Sequence, residues 1–183
     1  MTAIATINKE ISGLVTEVDN HITENDLDHI CFNPPFFSLI NLGDVAAFTS
    51  AVPSLAALFE ELNLTIKSIG LNTVYYNEKL GTWENPFIII PLRNFDGISV
   101  RTYELNADAT PKLSKYNIEY FDLDQATETS SVSLEDGKVY FVNCNVYHSF
   151  RYDRSDLPTP TDLSGCGVLL LIGVEEDMSA YLS

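Results

Sequence analysis

His148 is the residue of this sequence best placed to do chemistry. It lies in an apolar segment, residues 146–152, whose alternation predicts a strand with Val146, His148 and Phe150 on one face. An imidazole that points inward from such a strand can bind a transition metal or can be a hydrogen-bonded core histidine. A metal site needs several donors that converge on one ion, so the core interpretation is favoured unless partner ligands are found.

The remaining histidines and cysteines offer little further chemistry. His21 and His29 precede the β-rich part of the chain, where surface or local capping roles are expected. Cys144 lies four residues before His148, about 13 Å away along a strand, which is too far for a nucleophile–base pair. The odd number of cysteines, without close spacing, predicts free core thiols rather than a disulfide framework or a zinc site. The three cysteines are Cys31, Cys144 and Cys166.

Composition and charge limit the classes of partner. The 183 residues fit a single domain, residues 1–183, with 45% hydrophobic and 20% charged residues. The net charge is -16, from 26 acidic and 10 basic residues. Such a charge repels phosphate, so neither nucleic acid nor an anionic membrane is an expected partner, and its main expected role is to solubilise the surface. Small-molecule and protein partners stay open, as does a homodimer through a sheet edge.

No targeting or membrane segment is recognisable in the sequence. Residues 1–7 carry neither the basic region nor the long apolar run of a signal peptide. The longest strongly apolar run, residues 168–174, is far shorter than a membrane span. We therefore expect a soluble cytoplasmic protein.

The first 63 residues carry helical patterns. Apolar residues at three- and four-residue steps predict one face of an amphipathic helix; they are Ile4, Ile7, Ile11, Leu14, Val15, Val18 and Ile22. Asp44 can cap a short helix over residues 45–51, and Pro53 begins another whose apolar stripe ends near Asn63. Residues 1–63 are thus interpreted as a helical segment that supports a sheet.

From Leu64 the pattern changes to short strands. The predicted strands are residues 64–69, 73–77, 87–92, 98–105, 117–121, 132–134, 138–142, 146–152 and 168–174. Asp96-Gly97 and Asp136-Gly137 predict hairpins that join 87–92 to 98–105 and 132–134 to 138–142. Residues 106–114 and 155–164 are predicted as long loops. Closely spaced strands without intervening helices indicate a sandwich, barrel or jelly roll over residues 64–183.

Three passages carry a resemblance to a known family. They are residues 55–62 running into 66–76; Ile89-Ile90-Pro91-Leu92-Arg93-Asn94; and Gly137-Lys138-Val139-Tyr140-Phe141-Val142-Asn143 followed by Val146-Tyr147-His148-Ser149-Phe150. In this order they resemble the small iron(II)/2-oxoglutarate dioxygenases related to aspartyl/asparaginyl β-hydroxylases, over roughly two-thirds of the chain. The resemblance implies a mainly β protein with N-terminal helices, built as a double-stranded β-helix (a cupin-like jelly roll).

The resemblance also implies a ligand set that this sequence lacks in large part. The family holds iron with a His-x-Asp/Glu pair and a distal histidine, and His148 falls at the distal position. By distance from Pro91, the pair falls at Tyr75-Tyr76-Asn77, whose phenol and amide are poor ligands for Fe(II). Glu78 is the nearest carboxylate, but it lies on the opposite strand face. The basic residue that binds 2-oxoglutarate at the start of the last strand is missing from residues 165–168.

Five residues are candidates for lining a pocket. Tyr75 and Asn77 are either remnants of a metal site or ordinary residues of a half-buried strand. Trp83 lies on a loop that could cover a ligand or close the edge of the core. Arg101 could bind an anion inside the barrel or be a surface charge, and Arg151 could face a pocket, although its position does not match the family pattern.

Two functions follow as hypotheses. The first is a non-catalytic, degenerate relative of the dioxygenases that acts as a binding or structural module without a cofactor. The alternative is an oxygenase dependent on Fe(II) and 2-oxoglutarate, with an altered ligand set around His148 to which Tyr75, Asn77 or Glu78 contributes.

Overall fold

A computed structural model describes residues 3–9, 11–24, 40–41, 44–74, 79–82, 85–114, 117, 119–154 and 166–176. The helices are α1 (Ser12–Glu24), α2 (Val45–Ala51) and α3 (Pro53–Leu62). The strands are β1 (Ile4–Ile7), β2 (Ile40–Asn41), β3 (Ile66–Thr73), β4 (Lys79–Leu80), β5 (Phe87–Arg93), β6 (Ile98–Leu105), β7 (Lys112–Leu113), β8 (Glu119–Asp122), β9 (Ala126–Ser133), β10 (Val139–Val142), β11 (Tyr147–Tyr152) and β12 (Val168–Val174).

The strand order is that of a jelly roll. One sheet, called the major sheet, has the order β1-β10-β5-β12-β3-β2. A second sheet, called the minor sheet, has the order β11-β6-β9, and a third has the order β4-β8-β7. Gly81, directly after β4, forms an antiparallel bridge with His148 of β11. Along the chain, β3, β5, β10 and β12 belong to the major sheet, while β4, β6, β9 and β11 belong to the minor side. This alternation, with antiparallel pairing throughout, confirms the predicted double-stranded β-helix with N-terminal helices.

The buried side chains form two cores, one on each face of the major sheet. The helix-side core packs α1 and α3 against the sheet and includes Leu14, Val18, Leu55, Phe141, Leu170 and Ile172. The interior core lies between the two sheets and includes Phe87, Ile89, Val100, Tyr140, Phe150 and Leu171. Because both faces of the major sheet are covered, its central strands are apolar at nearly every position.

The helix predicted from Ile4 to Ile22 is wrong in its first part. Ile4–Ile7 form strand β1, which pairs antiparallel with β10 and places Ile4 opposite Val142. Since alternate residues of a strand face opposite sides, Ile4 reaches the interior core while Ile7 reaches the helix-side core. The open edge of β10 supplies backbone partners that a helix could not use. Residues 1–63 are therefore not only a helical support, because β1 and β2 belong to the major sheet.

Both Asp-Gly pairs form turns, but the two predicted hairpins are wrong. Gly97 and Gly137 have φ angles of +66° and +72°, as tight turns require. Yet β5 lies in the major sheet and β6 in the minor sheet, and the same holds for β10 and β9. Each turn therefore carries the chain from one sheet to the other. A turn sequence fixes where the chain reverses, but not the strand with which each flank pairs.

Other predicted elements agree closely with the structure. The Asp44 side chain accepts a hydrogen bond from the backbone N–H of Ala46 at 2.9 Å and caps α2, and Asn63 ends α3 in the left-handed conformation. The bounds of β6 and β12 are as predicted, whereas β9 begins six residues before the predicted 132. The loop predicted at 106–114 contains the two-residue strand β7. The loop predicted at 155–164 and most of the strand predicted at 73–77 lie outside the described residues.

No helix of the described chain is by itself long and apolar enough to cross a membrane. Only the bent pair of α2 and α3, with an angle of 108° between them, reaches that length and composition.

Candidate functional site

His148 projects into the jelly-roll interior from the minor sheet. It lies on β11, opposite Thr102 of β6, and shares its inner face with Phe150. Its side chain is buried, with 4% of the residue exposed. The imidazole lies 5.2 Å from the Phe87 ring and 6.3 Å from the Phe150 ring, measured between centroids. The inward orientation predicted from the alternation of residues 146–150 is the one observed.

The surroundings of His148 fix its protonation state and tautomer. Burial lowers the pKa of His148 from 6.5 to about 4, and the hydrogen bond with the Val146 carbonyl opposes this shift only in part. The ring is therefore neutral near pH 7. Nδ1 lies 3.1 Å from the Val146 carbonyl oxygen, which can only accept, so we assign the proton to Nδ1 and the lone pair to Nε2.

The chain segment that follows β4 lies opposite His148 and contacts it through its backbone rather than through side chains that could bind a metal. The His148 backbone N–H donates to the Gly81 carbonyl at 3.1 Å. Gly81 has no side chain, Leu80 beside it is fully buried and apolar, and Thr82 is exposed. The positions predicted for the His-x-Asp pair, Tyr75 to Asn77, and the neighbouring Glu78 lie outside the described residues.

The described residues do not fit the coordination that the iron site of a 2-oxoglutarate dioxygenase needs. That site requires three donors on one face of an octahedron. Among the residues that the structure describes, no group of three or more His, Cys, Asp or Glu side chains could hold one ion. Within this part of the chain His148 has two aromatic rings and a glycine as neighbours, in place of a carboxylate and a second imidazole.

The chain before the last strand is closed by apolar packing. This is where the resemblance to the iron(II)/2-oxoglutarate dioxygenases implies a basic residue for 2-oxoglutarate. A Cβ atom built on Gly167 would lie 2.7 Å from Cδ1 of Ile98 and 2.9 Å from Cε2 of Phe95, so a larger side chain would have to displace these two side chains. Tyr152 secures the same end of the interior, since its hydroxyl donates to the Val74 carbonyl at 2.7 Å and accepts from the Gly167 N–H at 3.1 Å. Burial raises the pKa of Tyr152, so this hydroxyl stays protonated.

The two candidate arginines point away from His148. Arg101 alternates with the buried Val100 on β6 and lies on the outer face of the minor sheet. Its guanidinium pairs with Glu128 at 2.9 Å and with Asp153. Arg151 lies on the same outer face, opposite Ser99. The structure thus places neither arginine in the interior, and Trp83 lies outside the described residues.

A buried polar residue of the interior was not predicted from the sequence. Asn72 lies on β3, opposite Leu169 of the interior core, and only 1% of it is exposed. Within the described chain, neither its amide nitrogen nor its carbonyl oxygen has a hydrogen-bond partner. The sequence did contain a signal, since an amide that alternates with apolar residues indicates a polar group on a buried strand face. The strand predicted here ended at residue 69, before Asn72, so this signal was not used. A buried amide without partners is unfavourable, so an apolar residue of similar size at this position should stabilise the fold.

Comparisons with known proteins add solved structures of low identity. No protein-family model and no curated protein matches the chain. One similar structure is described as acireductone dioxygenase from Bacillus anthracis with cadmium ion in its active centre; the identity is 13%, the match covers 97% of this chain and 95% of that chain, and the TM-score is 0.36. Another is a Pseudomonas putida prolyl-4-hydroxylase, with 13% identity, 96% and 94% coverage and a TM-score of 0.43. The jelly-roll assignment rests on the strand order of this chain.

Proposed function

We propose that this chain is a jelly-roll protein without oxygenase activity and that it acts as a binding or structural module. The neighbourhood of His148 carries the proposal. A ferrous ion needs nitrogen and carboxylate donors around it, whereas the described neighbours of this imidazole are Phe87, Phe150 and the backbone of Gly81. A histidine in such a setting contributes to packing and to one hydrogen bond.

The packing before the last strand supports the same proposal. The tight contacts of Gly167 with Ile98 and Phe95 fill the place where a basic residue would be needed to bind the carboxylate of 2-oxoglutarate. The site for iron and the site for the cosubstrate lie at different strands of the fold. Their joint departure from the family pattern is therefore better explained by a change of function than by one altered ligand.

One observation favours the alternative, an oxygenase that uses Fe(II) and 2-oxoglutarate with an altered ligand set. Nδ1 of His148 donates to a backbone carbonyl, which orients the ring and leaves a neutral Nε2 lone pair, as in many metal-binding histidines. In this alternative, His148 and one or more of Tyr75, Asn77 and Glu78 would hold the ion. Bound iron would supply the redox chemistry with oxygen, and the chain itself would orient the ligands and exclude water.

Metal analysis separates the two functions. The protein is purified without chelators, its iron content is measured, and turnover of 2-oxoglutarate is then assayed with added Fe(II) under reducing conditions. The wild type is compared with His148→Ala and with His21→Ala, which removes an imidazole from α1, where it packs on Phe48 at 5.1 Å. We expect substoichiometric iron, equal in all three proteins, and no turnover. Stoichiometric iron that is lost only in His148→Ala would refute the proposal and establish the alternative.

A further inference from the structure

Strand β9 forms a long, exposed edge of the minor sheet. In the sheet order β11-β6-β9, it is the outermost strand of the described chain, and it pairs with β6 on one side only. Most of its side chains are exposed, including those of Ser131 and Ser133. An edge strand presents backbone N–H and C=O groups that can pair with another strand.

The register identifies which backbone groups point outward. The Leu134 N–H donates to the Ile98 carbonyl at 2.9 Å, and Val132 lies opposite Val100. Hydrogen bonds alternate along an antiparallel pair, so the backbone of Val132 and Leu134 bonds to β6. The backbone groups of Ser131 and Ser133 between them therefore point to the open side of the sheet.

The features that natural proteins use to protect a sheet edge flank this segment but do not enter it. A bulge lies where Thr102 and Tyr103 of β6 face β9, close to the charged Glu128, and Glu135 follows the strand. Residues 130–133, Ser-Ser-Val-Ser, carry no charge and no proline. In a chain of net charge -16, two copies repel one another over most of their surfaces. The electrostatic repulsion between the two copies is smallest where they meet along the uncharged residues 130–133 of β9.

We propose that two copies of this chain associate through β9, in antiparallel pairing about a twofold axis at Ser131. In this register Ser131 of one copy faces Ser131 of the second, and the two exchange a pair of backbone hydrogen bonds. Glu128 then faces Leu134 of the second copy. A register centred on Val132 would instead bring Glu128 against Asp136, with like charges opposed. A twofold axis makes such an edge complementary to itself.

The expected dimer is weak and depends on salt. A few paired residues bury less than the roughly 1,200–2,000 Å² of a stable interface, so the expected dissociation constant lies in the high micromolar range or above, about 0.1–1 mM. Salt screens the mutual repulsion of two acidic molecules, since the Debye length falls to about 3 Å at about 1 M NaCl. Association should therefore strengthen as the salt concentration rises.

Sedimentation velocity on the full chain tests this surface with two matched variants. Ser131→Pro removes an N–H that points to the open side, so the bonds between β9 and β6 remain. Ser131→Ala keeps that N–H. In high salt we expect the wild type and Ser131→Ala to dimerise alike, and Ser131→Pro to raise the dissociation constant by at least about tenfold. A wild type that stays monomeric at about 1 mM would overturn the proposal, as would a dimer that Ser131→Pro leaves unchanged.

Amide hydrogen exchange of the wild type tests the proposed dimer surface without any variant. The N–H groups of Ser131 and Ser133 are expected to exchange more slowly as the protein concentration rises, while those of Val132 and Leu134 keep the protection given by β6. Exchange at Ser131 and Ser133 that is independent of concentration, in protein shown to dimerise, would mean that another surface forms the dimer and would overturn the proposal.

Discussion

The major and minor sheets of the jelly roll differ in how much of each strand is buried. Every residue of β12 in the major sheet is buried, and in β5 only the final arginine is exposed. In the minor sheet, the edge strand β9 has only exposed and partly buried residues, and no residue of it is fully buried. The major sheet packs against helices on one face and against the interior core on the other. The minor sheet faces the interior core on one side, and its outer face carries the ion pairs of Arg101.

The pattern of apolar residues along a strand therefore indicates whether one or both faces of its sheet are covered by other elements. A strand covered on both sides is a continuous apolar run, and a strand covered on one side alternates. The functional candidates lie on β6 and β11 of the minor sheet, where most residues are buried. His148 and Arg101 are both in the minor sheet, but they lie on opposite faces of it. A charge on the outer face is therefore compatible with folding, while a polar group on the inner face needs a partner.

The largest effect should follow from removing a large side chain of the major sheet. Phe141 on β10 is fully buried in the helix-side core. Phe141→Ala should lower the free energy of unfolding by about 3–5 kcal/mol, through lost burial and the cavity that remains. Ser131→Ala on the edge of the minor sheet should change it by less than about 0.5 kcal/mol. Urea unfolding measures both values, and equal effects would mean that the two sheets are buried alike.

A smaller effect concerns the imidazole on the inner face of the minor sheet. Because the folded-state pKa of about 4 lies below the unfolded value of 6.5, the unfolded state binds a proton first as the pH falls. The stability associated with neutral His148 is complete above about pH 6.5 and is lost by up to about 3 kcal/mol towards pH 4.

His148→Leu should remove this component. The difference in unfolding free energy between the wild type and His148→Leu should be constant above about pH 6.5 and should fall below it. His21→Ala leaves His148 in place and should therefore retain the His148 component of the pH dependence. A constant difference down to pH 4 would show that the imidazole titrates normally and is in contact with water.

The smallest effect should be a gain of stability in the major sheet. Asn72 is a buried amide with no hydrogen-bond partner among the described residues. Asn72→Leu has a similar size and removes the unsatisfied groups, so it should raise the free energy of unfolding by about 1–2 kcal/mol. Leu71→Asn, the reverse change at the adjacent residue in the helix-side core, should be strongly destabilising. If Asn72→Leu is also destabilising, the amide has a partner in the folded protein.

Part of the fold could be predicted because its determinants are local. The cap at Asp44, the start of α3 at Pro53 and the bounds of β6 and β12 all depend on residues within one or two turns or one strand. The inward orientation of His148 followed from the apolar residues Val146 and Phe150 that share its strand face. By contrast, the strand at Ile4–Ile7 could not be recognised, because it exists only through its pairing with β10, far away in the sequence.

The candidate site was less predictable than the fold. Alternation placed Arg101 on the face opposite Val100, but it could not say which face was the interior. The loss of a basic residue before β12 was visible in the sequence, but the contacts of Gly167 with Phe95 and Ile98 that fill this place were not. Such contacts join residues about 70 positions apart, so no local pattern records them.

By itself the sequence determined the class of the fold, the acidic surface and the presence of a lone inward imidazole on a late strand, since composition and periodicity carry this information. Only the tertiary structure decided that the two Asp-Gly turns cross between sheets, that Asn72 is buried with no hydrogen-bond partner among the described residues, and that two aromatic rings lie beside His148. The reason is physical. A strand leaves its backbone hydrogen bonds to be completed by a distant segment, and the identity of that segment decides which side chains meet.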